Sequence, residues 1–412
     1  MNCLKNTRLK LIKKLITTIL LPLFGLLYLL SKFFPRNSQI WVFGSAYGFE
    51  GNSKYLYCYT VENAPDIRAI WIAGSREDSR NIRSKGAEAH YRWSLPGIWL
   101  AFRSKYWFFN VCSSDVNYVA SGGAWLVNLW HGVPLKKIHF DVDSHVNRHK
   151  TLSFIIRKIF LYTPDDEIYE NLVSTSEYIS DMSFSSALRV PAEQCLNIGY
   201  PRLDPLFWDQ DYSSKWLKRW SSTHEQTFIN KLKAYDKVFI FMPTWRDHAP
   251  HFIKEQNWDF IGLDKKLAKS NTLLILKLHP LTPLSLVKSV QHCSNIVLLD
   301  SGQDVYCILP HTHGLITDYS SIMFDYALLD MPICYFAHDL DDYLDKSREF
   351  YLPFDEVVYG PVVTTMEQVE SFLLNPESAG GSNEARQRIK DLCFDYKDHD
   401  SSKRIVTHFT HS

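Results

Sequence analysis

Two Rossmann-like domains facing one another across a cleft, an α/β architecture, follow from three features of this 412-residue chain. Short apolar runs alternate with longer helical stretches, the pattern of a parallel sheet covered by helices. The runs fall into two series, and the chain exceeds the roughly 250–300 residues beyond which one core stops growing. Several runs also end on histidine, arginine or hydroxyl residues, and open α/β sheets bind ligands outside the carboxyl ends of their strands.

The first series predicts strands at residues 40–44, 69–73, 106–110 and 126–130. The second predicts strands at 238–242, 273–278, 296–299, 314–317 and 333–336. Between them, the polar stretch 209–237 reads as helices and connectors at a domain junction. Residues 375–384 read as a loop, because small and glycine residues at 378–382 favour turns over a helix interior. The expected units are therefore a first domain at 37–208, a second at 209–385, and a closing helix and tail at 386–412 that crosses back to the first domain. Neither half carries a Gly-x-Gly-x-x-Gly loop or a Walker lysine motif, which argues against a dinucleotide oxidoreductase or a P-loop NTPase.

Residues 1–36 differ in kind. Lys5, Arg8, Lys10, Lys13 and Lys14 precede an uncharged run at 15–31, which Lys32 and Arg36 close. Bulky Phe33-Phe34-Pro35 stands where signal-peptide cleavage needs small residues. The run is shorter than the about 20 apolar residues of a spanning helix, and it contains Pro22 and Gly25. A membrane-associating helix lying on the anionic cytoplasmic leaflet is expected, as a monotopic or peripheral anchor. Elsewhere 45 basic residues balance 45 acidic ones, so no global field favours nucleic acid. The eight cysteines form no Cys-x-x-Cys pair and mostly lie in apolar contexts, as reduced buried thiols would.

Four strand-end motifs carry the chemistry. They are Trp130-His131-Gly132, Pro243-Thr244-Trp245-Arg246, Lys277-Leu278-His279-Pro280, and Thr317-Asp318-Tyr319-Ser320-Ser321. Cations and hydroxyls gathered at one sheet edge suit a diphosphate. In this order and spacing the motifs resemble those of the CDP-glycerol glycerophosphotransferase family, which includes teichoic acid primases and polymerases. Gly51-Asn52-Ser53-Lys54, Gly199 to Asp204, Phe324-Asp325-Tyr326, Arg348 to Tyr351, Gly360-Pro361 and Lys403-Arg404-Ile405 extend the resemblance over residues 40–405. Two departures stand out: Val133 where threonine is common, and Asp398-His399-Asp400 where a glycine is usual.

The resemblance implies a GT-B-like fold with an acceptor-side first domain and a CDP-donor-binding second domain. It also implies a CDP-polyol donor, most simply CDP-glycerol, and a lipid-linked glycan or polymer acceptor at the inner membrane face. The product would be a teichoic acid, capsule or related surface polymer, and CMP would be released. Such a transfer needs a base for the acceptor hydroxyl and fixed cations for the phosphoryl charge. His131 is the candidate base. His279 is the candidate second catalytic residue, as a donor to the diphosphate or an acid to the leaving phosphate. Arg246, Lys277, Thr317, Asp318, Ser320 and Ser321 are expected to hold phosphate, with Asp318 or Ser320 also capping the helix expected at 322–330. Gly132, Arg202 and Asp325 are expected in support, Arg202 as ligand contact or hinge ion pair and Asp325 bracing the serines or a cation. Asn52 and Lys54 are placed toward the acceptor. No metal and no cofactor are expected. The polyol, the acceptor and any homo-oligomer stay open. A GT-B glycosyltransferase using a nucleotide sugar and a non-catalytic membrane-anchored binding protein are the alternatives.

Overall fold

A computed structural model of the protein describes residues 22–143, 169–244, 246, 258–278, 290–300, 302–346 and 349–411. Two parallel sheets form its framework. The first contains β1 (Asn37–Phe43), β2 (Arg68–Ala73), β3 (Ala89–Tyr91), β4 (Ser104–Phe109), β5 (Trp125–Asn128), β6 (Asn171–Ser174) and β7 (Cys195–Asn197), in the order β3-β2-β1-β4-β5-β6-β7. The second contains β8 (Lys237–Met242), β9 (Thr272–Leu276), β10 (Ile296–Leu298), β11 (Gly314–Thr317), β12 (Ile333–Phe336) and β13 (Val362–Val363), in the order β10-β9-β8-β11-β12-β13. Each order runs outward from its first strand in both directions, which is the doubly wound pattern. The crevice of such a sheet lies where the order reverses, beside β1 and β4 in one half and β8 and β11 in the other.

Alternation explains why the strands read as continuous apolar runs. In β8, Val238 and Ile240 face one hydrophobic cluster while Phe239 and Phe241 face another. Leu273 and Ile275 of β9 oppose Leu274 and Leu276 in the same way. A strand covered on both faces has no polar side to show. The cluster holding Val238 and Ile240 is continuous with the core of the first sheet, including Trp41, Phe43 and Trp107. The two halves thus share packing instead of meeting only across water.

Every expected strand is present, with ends shifted by a few residues. The short strands β3, β6, β7 and β13 were not anticipated. The junction is helical, with α1 (Gln210–Trp220) and α2 (Thr223–Leu232). Ser222 and Glu225 close a reciprocal capping box on α2. The helix expected at 322–330 stops at Ala327, and Asp330 takes a left-handed φ of 56°. The last helix, α3 (Ser401–Thr410), seats Phe409 against Tyr106 and Phe108 of the first sheet, with ring centroids 5.3 and 5.4 Å apart.

Residues 22–31 are helical. No helix among the described residues is long and apolar enough to cross a membrane. Arg36 is not a free flanking cation. Its guanidinium donates to the carbonyls of Ala101, Ser104, Ala120 and Gly122, so it is part of the first domain's packing. The described cysteines are free thiols, most of them buried.

Candidate active site

The turn after β5 is built to present His131. Trp130 adopts a left-handed φ of 54°, which is strained for a bulky residue. Two asparagines hold it there. The Trp130 N–H donates to Asn128 Oδ1 at 2.8 Å. Asn52 Nδ2, from the helix Gly51–Asn63, donates to the carbonyls of Leu129 and Trp130 at 2.8 and 2.9 Å. His131 Nδ1 lies 3.2 Å from the Asn110 carbonyl at the end of β4. A carbonyl can only accept, so Nδ1 carries the hydrogen and the Nε2 lone pair is left for a substrate proton. The residue is exposed although protein crowds its ring. Desolvation, and then the Arg202 cation, lower its pKa against the opposing pull of the Asn110 carbonyl. Burial therefore favours the neutral imidazole of His131, which can accept a proton.

Gly132 connects this turn to the second half. A Cβ on it would lie 3.2 Å from Ser321 Oγ and 3.3 Å from Arg202 Nη2. Arg202 donates to the His131 carbonyl and, at 2.5 Å, to Asp325 Oδ2. Tyr306 donates to that same oxygen at 2.6 Å. The Arg202 N–H is received by Asn52 Oδ1 at 3.1 Å, so one asparagine ties the Trp130 turn to the Arg202 turn. The structure thus brings His131, Gly132, Arg202, Asp325 and Ser321 together across the domain boundary.

The ends of the second sheet form a separate polar cluster. Arg246 is 1% exposed and makes a two-toothed contact with Asp339, Nε at 2.5 Å and Nη2 at 2.8 Å. Its Nη1 donates to Asp318 and to the Thr244 carbonyl, both at 2.8 Å. Asp318 also receives the Thr244 N–H at 2.8 Å. A guanidinium so committed organises the strand ends. This differs from the open phosphate fork expected of Arg246, and the carboxylates that claim it are Asp318 and Asp339. Thr317 is buried and donates to the Met242 carbonyl at 2.8 Å, which locks β11 to β8. The helix Ile322–Ala327 is capped by Ser321, not by Asp318 or Ser320, and Ser321 makes no side-chain cap bond. Ser320 and Ser321 are both half-buried, and their hydroxyls have no hydrogen-bond partner among the described residues.

Lys277, just past β9, shares an electrostatic neighbourhood with Glu50, Asp304 and Asp300. Burial lowers its pKa, and these carboxylates oppose that shift. Glu50, at the N-cap of Gly51–Asn63, is pushed up to about 7 by burial first and by Asp304 second. Lys54 bonds Asp304 at 2.7 Å, a buried bridge between the halves, and Tyr55 donates to the same carboxylate at 2.9 Å. Lys54 is thus engaged in the interface. His279 lies outside the described residues, as do Trp245 and Pro280. Among the described residues no group of three or more His, Cys, Asp or Glu is arranged to hold a metal ion.

Glu50, Asn110, Asp304, Tyr306 and Asp339 were not singled out from the sequence. Asp339 carried a usable signal, being a charged residue just beyond the buried run 333–336. Asn110 closed an expected strand, but its carbonyl rather than its side chain meets His131.

Known proteins resemble the chain over nearly its whole length. The chain is 28% identical to a teichoic acid glycerol-phosphate transferase of Staphylococcus aureus over 417 aligned residues, 98% of each chain. It is 27% identical to a teichoic acid poly(glycerol phosphate) polymerase of Bacillus spizizenii, covering 94% of this chain and 96% of the relative. The solved wall teichoic acid polymerase TagF has the same fold, with a TM-score of 0.76 at 24% identity over 100% of this chain and 98% of that one. The profile of one family spans residues 26–410, from the helix before β1 to the end of α3. With both sheets and the intervening turns inside that span, the chain belongs to the CDP-glycerol:poly(glycerophosphate) glycerophosphotransferase family.

Proposed function

We propose that the protein transfers glycerol phosphate from CDP-glycerol to a hydroxyl of a membrane-linked teichoic acid polymer or glycan, releasing CMP. Nε2 of His131 takes the acceptor proton as the hydroxyl oxygen bonds to the distal phosphorus. The bond from that phosphorus to the bridging oxygen breaks, and CMP departs with the electron pair. Lys277 is assigned to the diphosphate charge, and His279 to hydrogen bonding or protonation of the leaving phosphate. The Ser320 and Ser321 hydroxyls are assigned to phosphoryl oxygens. The transfer balances without a cofactor, since CDP-glycerol is itself the substrate.

The observation that carries this reading is the tautomer of His131, with Nδ1 tied to Asn110 and Nε2 left free at the domain boundary. An apolar surface supports action at a membrane. Leu23, Leu26, Leu29 and Phe33 are exposed on or beside the first described helix. Phe24 of that helix stacks on Trp93, and the neighbouring Leu95 and Trp99 are exposed as well. Cations at Lys32 and Arg103 flank this surface, as an anionic leaflet would require.

The test is CMP release from CDP-glycerol by purified protein, with a lipid-linked acceptor and beside His131→Ala. Acceptor-dependent release that disappears in the variant supports the assignment. Release that persists in the variant removes His131 as the base, and no release with any acceptor removes the reaction.

A further inference from the structure

A cavity of about 330 Å³ lies where the helix Gly51–Asn63, the junction helix α1 and the start of α3 meet. It is at the small end of the roughly 300–1,000 Å³ range of ligand pockets, which suits one ring and not a chain. Its wall is aromatic. Tyr55 stacks on Trp216 at 5.2 Å, Trp216 meets Trp208 at 5.1 Å, and Trp208 meets Tyr212 at 5.0 Å. Tyr59 completes the apolar side.

The polar groups of this wall fall into two sets. Asp204 is spent on the fold, since it accepts the N–H groups of Ser401 and Ser402, both at 3.0 Å, and the Ser402 hydroxyl at 2.6 Å. The others are uncommitted. The indole N–H groups of Trp208 and Trp216 and the hydroxyls of Tyr59 and Tyr212 have no hydrogen-bond partner among the described residues. Among the described residues the Asp400 carboxylate pairs with Lys403 alone, loosely, at 3.7 Å, and Asp209 uses one oxygen to cap α1. The cavity therefore offers free donors and free acceptors around flat ring faces.

That combination selects among ligand classes. A phosphorylated ligand would meet the carboxylates of Asp204, Asp209 and Asp400, with Lys403 and the His399 ring on the other side. A substituted ammonium would suit the rings and carboxylates, but it carries no acceptor and would leave the indole donors unmatched. A neutral sugar ring has an apolar face for the aromatic wall, and hydroxyls that both donate and accept. His399 and Asp400 help line this cavity.

We propose that this cavity is a carbohydrate subsite, separate from the catalytic turn, that takes one neutral pyranose. The sugar comes either from a glycan-bearing acceptor or from free saccharide. The inference does not require the phosphotransfer reading, because binding is measured without donor.

The experiment titrates the full chain with methyl glycosides of glucose, N-acetylglucosamine and N-acetylmannosamine, read by tryptophan fluorescence and saturation-transfer NMR. Saturable binding is expected, weakened about tenfold or more, about 1.4 kcal/mol, in Tyr212→Ala and in Asp400→Asn. Thermal melting of both variants should match the parent, and His131→Ala should bind normally. No binding across the panel overturns the proposal, as does binding unchanged in both cavity variants or lost in His131→Ala. Binding of tetramethylammonium in place of the glycosides overturns it too. If Tyr212→Ala raises KM only for sugar-bearing acceptors, the sugar is the acceptor's. If free glycoside alters turnover on a sugar-free acceptor, the source is free saccharide.

Discussion

Arg202 and Asp325 join the two halves of the protein through a 2.5 Å ion pair closed to solvent, with side chains 7% and 1% exposed. The same guanidinium holds the His131 carbonyl, so contact between the halves and the position of His131 depend on one side chain. Removing one partner of such a pair leaves a buried charge alone and costs about 3–5 kcal/mol. Asp325→Ala should lower stability by about that amount in urea denaturation. Arg202→Met with Asp325→Leu should recover much of the stability without recovering turnover. A double variant with normal turnover would show that the pair does not set the base.

For Arg246, contacts with Asp318 and Asp339 predict a structural loss before a binding loss. Arg246→Ala should destabilise the protein by about 3–5 kcal/mol. Arg246→Lys should recover little of this, because an ammonium cannot span both carboxylates. Thermal melting without ligand is the measurement. An Arg246→Ala variant that melts normally but binds CDP-glycerol weakly would restore the direct phosphate role.

His131→Ala should reduce kcat by about 10²–10⁴-fold, with circular dichroism unchanged. Because the pKa of His131 is lowered, the neutral form persists into mildly acid solution. The acid limb of the kcat profile should accordingly fall below the ordinary histidine value of 6.5. Asn110 acts through its carbonyl, so side-chain substitution there should move this limb little.

Glu50 makes stability depend on pH in the opposite sense to a salt-bridged carboxylate. Its folded pKa of about 7 exceeds the ordinary 4.5. The folded state therefore binds the proton more tightly, and the contribution of Glu50 is fully present below about pH 4.5. It is lost as pH rises through about 7. Glu50→Gln should flatten the decline in Tm between these values. A decline that persists unchanged would assign it to another group, such as Asp204, which burial also raises to about 7.

A truncation that tests the proposed anchor should stop before Arg36. Removing residues 1–30 should release protein from anionic vesicles in a flotation assay, while extending the cut through Arg36 should also unfold the first domain. That domain receives four carbonyl contacts from this guanidinium. Vesicle binding that survives the shorter cut would shift membrane contact to the Trp93–Trp99 surface.

The parallel sheets were legible because their central strands are buried on both faces, which forces runs such as 238–242 to be apolar throughout. The strands β3, β6, β7 and β13 were not. They are two to four residues long, and all four lie at or next to a sheet edge, too short for a pattern to rise above chance. Candidate positions were legible where a polar residue follows closely after a strand, as at His131 and Asp318. It was hidden where function rests on a pairing between distant segments. Nothing near Lys54 in the sequence announces Asp304, and nothing near Arg246 announces Asp339.

The last helix has a consequence for synthesis. Phe409 completes a wall of rings with Trp41, Tyr106 and Phe108, all residues made early in translation. The first domain emerges from the ribosome first, yet it is sealed only after the whole second domain has followed. A chain stopped before Ser401 should therefore show that aromatic wall to solvent and scatter light as it aggregates, even with both sheets intact.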